Sequence, residues 1–253
     1  MKLQQATWPE IEAYLKTSDA IVIPIGSTEQ HGPTGLIGTD AICPETIAGG
    51  MAELGVLVGP TLSIGMAQHH LAFPGSIALR PSTLIAVIRD VVGSLSAQGF
   101  RRFMFLNGHG GNIATAQAAF SEIWSDSSMA GRASELHLNL FNWFTGPRVR
   151  KLSAELFGDA EGSHATPSEI SLTWFAYPGR VSNARPNPAR APDGDFRDAR
   201  DFRRNFGDGR IGSEPALASV EHGMRLYRAG IKDAMEGFEI LCRAGTDGTD
   251  IRD

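Results

Sequence analysis

Ala20-Ile21-Val22-Ile23-Pro24-Ile25-Gly26 is apolar at every position, which is how a parallel strand buried on both faces reads. It leads directly into Glu29-Gln30-His31-Gly32-Pro33 and then Gly38-Thr39-Asp40. Side chains two apart on an extended segment point the same way, so Glu29 and His31 can aim into one cavity if the chain stays extended past Gly26. A second run, Arg102-Phe103-Met104-Phe105-Leu106, ends in Asn107-Gly108-His109-Gly110-Gly111-Asn112. Glycines there let the backbone turn sharply and come close to a ligand. Open α/β sheets bind ligands at this place, outside the carboxyl ends of their strands.

Working outward, the patterns predict strands near 20–25, 56–58, 76–79, 102–106 and 135–141, alternating with helices near 8–17, 41–54, 83–98 and 112–126. Thr7 to Glu10 is a capping box opening the first helix, while Ser82 is expected to cap the third and Gly99 to stop it. That order implies β-α-β crossovers and an α/β fold: a single-domain three-layer α/β/α sandwich with a largely parallel central sheet over 1–253. Residues 178–214 are rich in Pro, Gly, Arg and Asp and show neither period. They read as an irregular excursion, either a lid or subunit contact or a solvated stretch whose charges largely cancel. Two closing helices are expected near 216–229 and 231–243, with Leu217, Val220, Met224, Tyr227, Ile231, Met235, Phe238, Ile240 and Leu241 as their core stripe.

Glu29, His31, Asp40 and His109 are residue types that bind metals, and two strand ends supplying them to one crevice point to a metal-dependent hydrolase. Asp40 also heads a helical pattern and can be its cap. In His164-Ala165-Thr166-Pro167-Ser168-Glu169, the Thr-Pro-Ser-Glu segment is a capping box with proline at the first helical position. Glu169 therefore reads either as a helix cap or as a site residue. His164, just ahead of the helix, is better placed for chemistry than for packing. His69 and His70 lie in the loop before Phe73-Pro74-Gly75, His137 reads as a partly exposed strand position, and His222 as a helix-surface residue.

Gly26-Ser27-Thr28-Glu29-Gln30-His31-Gly32-Pro33, Gly38-Thr39-Asp40 and Asn107-Gly108-His109-Gly110-Gly111-Asn112 resemble the signatures of the creatininase family, the creatinine amidohydrolase-like metal hydrolases. Weaker agreement extends over Phe73-Pro74-Gly75-Ser76, His164 with Glu169, and Gly212-Ser213-Glu214-Pro215 with Ala218-Ser219 and Glu221. The resemblance implies two divalent metal ions, Zn, Mn or Fe, with Glu29, His31, Asp40 and His109 as ligands and Asp40 bridging. Creatinine-cleaving members carry a glutamate where this chain has Gly111; Glu169 is the candidate to fill that place or to handle the proton instead. By the same resemblance His164 is the acid/base histidine and His70 a substrate contact. The implied reaction is cleavage of an amide or formamide C–N bond by hydroxide held between two ions, without a covalent enzyme intermediate. Ala160-Glu161-Gly162-Ser163, where creatinine-cleaving members have a tryptophan, argues against creatinine itself, as do Thr34, Gly35, Pro167 and Gly111. The family also holds formylamino-pyrimidine deformylases and peptidase-like members that trim peptide-derived cofactors, and its members form homo-oligomers, hexamers included.

Other chemistries lack their marks. There is no Gly-x-Ser-x-Gly elbow, no P-loop and no Gly-x-Gly-x-x-Gly opening a helix. Cys43 and Cys242 have no Cys-x-x-Cys spacing and read as reduced thiols of a cytoplasmic protein. A net charge of −5 offers no basic footprint for nucleic acid, and no apolar run approaches a membrane span. A small-molecule amide substrate is the expected partner. The rival readings are a non-catalytic metal-binding relative, in which His164 and Glu169 serve only packing and capping, and a scaffold subunit working through the arginine-rich excursion.

Overall fold

Three parallel strands, β1 (Ala20–Ile25), β2 (Arg102–Asn107) and β3 (His137–Asn142), pair in the order β1-β2-β3, with Ile21 opposite Phe103 and Phe103 opposite Leu138. The computed structural model describes residues 1–243; the last ten residues of the expected 1–253 unit lie outside it. Helices are α1 (Trp8–Leu15), α2 (Thr39–Glu53), α3 (Pro81–Ser96), α4 (Ile113–Met129), α5 (Pro147–Phe157), α6 (Pro167–Ala176), α7 (Ala199–Asn205) and α8 (Val220–Arg243).

Alternation along the strands divides the core into two layers, one on each face of the sheet. Ile21, Ile23, Ile25, Phe103 and Phe105 pack with Leu84, Ile88 and Val92 of α3 and with Ala116 and Phe120 of α4. Val22, Met104 and Leu106 pack on the other face against Ile47 and Met51 of α2, Leu172 of α6, and Leu226 and Phe238 of α8. Burying each large side chain of this kind contributes about 1.5–3 kcal/mol. A parallel sheet covered by helices on both faces is the expected α/β fold.

Several local expectations are corrected. Residues 56–58 form no ladder: Val58 and Leu62 make single parallel bridges to Val22 and Ile25, with Pro60 between them unable to donate a hydrogen bond. Residues 76–79 contribute one antiparallel bridge, Ile77 to Thr28. α3 starts at Pro81 with Arg80 as its N-cap, which puts Ser82 inside the first turn. Asp40 is not a cap either, because Gly38 holds that position for α2. The two closing helices are one, α8, and Gly230 does not interrupt it; a Cβ there would lie 2.7 Å from Ile47 Cδ1, so this glycine lets α2 and α8 approach closely. α5 was not foreseen. Its first turn is capped from a distance by buried Asp233 of α8, whose Oδ2 accepts from Arg148 N and Val149 N at 3.0 Å each.

The excursion at 178–214 is more ordered than its composition suggests. Asp198 caps α7 by accepting from the N–H groups of Arg200 and Asp201, and Phe202, Phe206, Phe73 and Ile211 close into a small core of their own. Arg210 is fully buried and all its donors are used: Nε and Nη2 on Asp208, Nη1 on the Ala189 and Ser213 carbonyls, Nη2 also on Pro188 O. The solvated reading therefore fails for this half of the segment.

Candidate metal centre

Two glycines decide where the acidic residue at the head of α2 comes to rest. A Cβ on Gly26, just beyond β1, would lie 2.1 Å from the Asp40 carbonyl oxygen; one on Gly108, just beyond β2, would lie 2.0 Å from the same atom. Only with both positions bare can the first turn of α2 sit across the two strand ends. Asp40 then lies under His31 and His109. His31 Nε2 is 3.1 Å from Asp40 Oδ1, and His109 Nδ1 is 2.9 Å from Oδ2. Glu29 reaches in from the loop after β1, with Oε2 3.3 Å from His109 Nε2, and Glu169 from the first turn of α6 stands 3.9 Å from His31 Nε2.

Backbone carbonyls set which ring nitrogens carry protons. His31 Nδ1 faces the Glu29 carbonyl at 3.1 Å and His109 Nε2 faces the Met66 carbonyl at 3.0 Å; a carbonyl only accepts, so each of those nitrogens is the N–H of a neutral ring. The lone pairs of His31 Nε2 and His109 Nδ1 are thereby turned onto the Asp40 carboxylate. Lone pair against carboxylate at about 3 Å is repulsive unless a proton or a metal cation lies between. Two more atoms tell the same story: Glu29 Oε1 and Asp40 Oδ2 are buried and accept no well-formed hydrogen bond, although His70 Nε2 and His109 Nδ1 stand 3.0 and 2.9 Å away. Nitrogen and oxygen atoms clustered at this spacing, with Glu29 Oε1 and Asp40 Oδ2 left without a hydrogen bond, fit a divalent cation. Asp40 belongs to two groupings of potential ligands, Glu29–Asp40–His109 and His31–Asp40–Glu169.

The electrostatics agree. Burial raises the Glu29 carboxyl, and the Asp40 charge raises it further; burial likewise pushes Glu169 up to about 7, against the pull of His31. For the two rings burial works downward, but the carboxylates of Asp40, Glu169 and Glu29 overcome it at His31, pushed up to about 10, and those of Glu29 and Asp40 at His109, pushed up to about 9. The same carboxylates that would hold a proton on either ring would attract a metal ion in its place.

These residues open into a cavity of about 530 Å³ walled by Trp143, Phe144, Phe196 and Phe202, with Gly110 and Gly111 beside His109. His164 and His70 line it too. His70 is buried and packed against the ring of Phe202, while His164 Nδ1 stands 4.0 Å from Glu29 Oε1. Thus Glu29, His31, Asp40, His109, His164, Glu169 and His70 are brought together. His137, at the start of β3, is not in this cluster, and His222 lies against Phe157 on α8. Glu169 keeps its capping box with Thr166 and faces His31 as well. A Cβ at Gly111 would lie 2.4 Å from His109 Nε2 and 2.7 Å from Met66 O, so the imidazole occupies the space that a side chain there would need.

A family model described as creatininase, creatinine amidohydrolase, matches residues 4–237. The chain belongs to the creatininase family. Among curated relatives it is 29% identical to the 3-dehydro-scyllo-inosose hydrolase of Thermotoga maritima over 175 residues, 68% of this chain and 54% of that protein. It is 32% identical to the creatinine amidohydrolase of Pseudomonas putida over 112 residues, 42% of this chain and 43% of that one, and 30% identical to the mycofactocin precursor peptide peptidase of Mycolicibacterium smegmatis over 118 residues, 44% and 47%. The chain spans about half the length of the curated relatives it matches. A manganese creatininase superposes with a TM-score of 0.81 at 24% identity, covering 95% of this chain and 98% of that one. A zinc-zinc form of a creatininase variant gives the same values, and at this identity both establish the fold.

Residues at or beside the cavity that the sequence did not mark are Gln30, Trp143, Phe144, Glu161, Phe196 and Phe202. Gln30 sits between two motif residues, but three of the residues it meets, His70, His164 and Gly209, are distant in sequence. Glu161 hydrogen-bonds Ser168 at the start of α6 and leaves Oε2 without a partner. Phe196 and Phe202 lie in the excursion, where nothing in the pattern marks them.

Among the described residues no helix is long and apolar enough to cross a membrane, and Cys43 and Cys242 are both free thiols.

Proposed function

We propose that this protein is a metal-dependent amidohydrolase that cleaves the C–N bond of a small amide or formamide other than creatinine. The observation that carries the proposal is Asp40, shared by two groupings of buried ligands and facing two imidazole lone pairs. Glu29, Asp40 and His109 would hold one divalent ion, and His31, Asp40 and Glu169 the second. Mixed carboxylate and imidazole donors suit Zn, Mn or Fe. When bound, two such ions make water nucleophilic near neutral pH and polarise the carbonyl under attack.

This chain's own residues supply the rest. His164 presents a ring nitrogen to the cavity beside Glu29 and is the group to take a proton from the attacking water and pass it to the departing nitrogen. Trp143, Phe144, Phe196 and Phe202 form an apolar wall that excludes water and orients a planar amide. His70 lines the same cavity with Nε2 3.0 Å from Glu29 Oε1, a place from which it can contact substrate. Gly110 and Gly111 leave the cavity floor without side chains. The names of the relatives, a creatinine amidohydrolase, an inosose hydrolase and a peptide peptidase, support hydrolysis and leave the substrate open.

Metal content of the purified full chain, followed by an amide and formamide panel before and after chelation, tests this. About two ions per chain and activity lost on chelation, restored by metal, with an unchanged circular dichroism spectrum, is the expected result. Undiminished hydrolysis by metal-free protein would overturn it. His164→Ala should retain metal and lose turnover, whereas a non-catalytic relative would show no turnover in either form.

A further inference from the structure

The Gln30 side chain lies between the metal centre and the two other histidines of the cavity, and its orientation is fixed from outside. Its Oε1 accepts from Gly32 N at 2.8 Å and its Nε2 donates to Gly209 O at 2.9 Å. Exchanging oxygen and nitrogen would set donor against donor at one end and acceptor against acceptor at the other, so the amide cannot be turned over. Gly209 is where the chain makes room for it: at φ +89° its backbone approaches so closely that a Cβ would overlap the Gln30 amide.

One N–H of Gln30 remains, and two ring nitrogens stand 2.9 Å from it, His70 Nδ1 and His164 Nε2. His164 Nε2 is also 2.9 Å from the Gln30 main-chain carbonyl. That carbonyl can only accept, so His164 Nε2 is an N–H and donates to it. The free Gln30 N–H then goes to His70 Nδ1, which must be bare. A ring accepting at Nδ1 keeps its proton on Nε2, 3.0 Å from Glu29 Oε1.

We infer that Gln30 is a positioning residue that sets the tautomers of both histidines, leaving His164 Nδ1 bare toward the cavity and His70 Nε2 protonated beside Glu29. Two consequences follow. His164 offers the metal centre a lone pair rather than a proton at rest, from the atom 4.0 Å from Glu29. His70 is withdrawn from ligation, so Glu29, His69 and His70, although close enough to hold an ion, do not form a third metal site. His70 instead turns its N–H toward the carboxylate that ligates, as partners of metal ligands do, at 3.0 Å from Glu29 Oε1.

The test reads the rings directly. Full-length protein labelled with ¹⁵N-histidine, as purified and loaded with zinc, is recorded by long-range ¹H–¹⁵N correlation, with rings assigned by single histidine substitutions. Wild type should show protonated Nε2 and bare Nδ1 for both His70 and His164. Gln30→Glu replaces the donor facing His70 by an acceptor and should move the His70 proton to Nδ1, with zinc affinity falling roughly 10–100-fold. Gly209→Ala should disturb the same two rings by displacing the amide without altering any donor count. A wild-type spectrum with Nδ1 protonated on either ring, or a His70 tautomer unchanged in Gln30→Glu, overturns the inference. Protein that takes up no zinc would sink the metal proposal, while its ring tautomers would still decide this one.

Discussion

Replacing Gly108 by alanine should damage the metal centre through the backbone, without touching a ligand. The added Cβ would lie 2.0 Å from Asp40 O, 2.7 Å from Pro44 Cδ and 3.0 Å from Asp40 C, and real Cβ atoms essentially never come closer than 3.0 Å to such neighbours. The first turn of α2 must therefore retreat by about 1 Å. Overpacking of this kind costs about 1–3 kcal/mol. The larger effect falls on the site, because Asp40 Oδ1 and Oδ2 are aligned on His31 and His109 at 3.1 and 2.9 Å and move with the turn. Disturbing the groups that orient a metal ligand weakens metal affinity about 10–100-fold. Gly110→Ala is the control, since its Cβ would meet nothing within 4 Å in the same loop. Zinc titration by calorimetry and thermal melts should show Gly108→Ala binding about 10–100-fold more weakly and melting lower, with Gly110→Ala near wild type. Equal zinc affinity in Gly108→Ala and wild type would refute the reasoning.

Asp233→Ala should cost roughly 2–4 kcal/mol in urea unfolding, because it strands two α5 N–H groups and removes one of the two carboxylates on Arg148, which keeps Glu236, while zinc affinity stays unchanged. Thr166→Val removes the α6 cap acceptor and should cost about 1 kcal/mol with zinc affinity largely kept. Glu169→Gln should do the reverse, holding stability near wild type and weakening zinc at least tenfold, as loss of a charged ligand does; identical profiles for the two variants would count against a metal role for Glu169. Burial raises the Glu161 carboxyl above its ordinary 4.5, against hydrogen bonds from Ser168 and Thr166 that lower it. Such a group holds more protons folded than unfolded, so its stabilising contribution is present in acid and is lost as pH rises through the raised value. Glu161→Gln, which does not ionise, should therefore gain in melting temperature on wild type as pH climbs from about 4 to about 8.

The strands that carry the site were readable because β1 and β2 are buried on both faces, which leaves long apolar runs and puts the motifs at their ends. Segments 56–58 and 76–79 have the same residue types, but pairing there is limited to single bridges by Pro60 and by the loop geometry around Thr28. Gly230 looks like a helix stop in sequence, since nothing local reveals that Ile47 of another helix needs the space. In the excursion, Phe196, Phe202 and Phe206 are masked by the arginines around them, and their small core is completed by Ile211 and by Phe73, which arrives from elsewhere in the chain. Gln30 was overlooked for a different reason. Its role is a count of donors and acceptors contributed by Gly32, Gly209, His70 and His164, and three of those four are distant in sequence.

Glu169 shows why capping and ligation are not alternatives here. Its Oε1 accepts from Thr166 N in the capping box and is also the oxygen nearest His31. The bond that starts α6 is thus the bond that aims the carboxylate, and turning the side chain elsewhere would cost the helix its cap, about 1 kcal/mol. Gly26 and Gly108 act alike on Asp40, and the carbonyls of Glu29 and Met66 act alike on His31 and His109. Glu169, Asp40, His31 and His109 are each oriented by a backbone group that the fold has already fixed, and Glu29 by the Ser27 hydroxyl, which donates to its Oε2 at 2.7 Å. A metal ion entering such a site meets donors that need little rearrangement, and it takes the place of the protons that the carboxylates otherwise hold on His31 and His109.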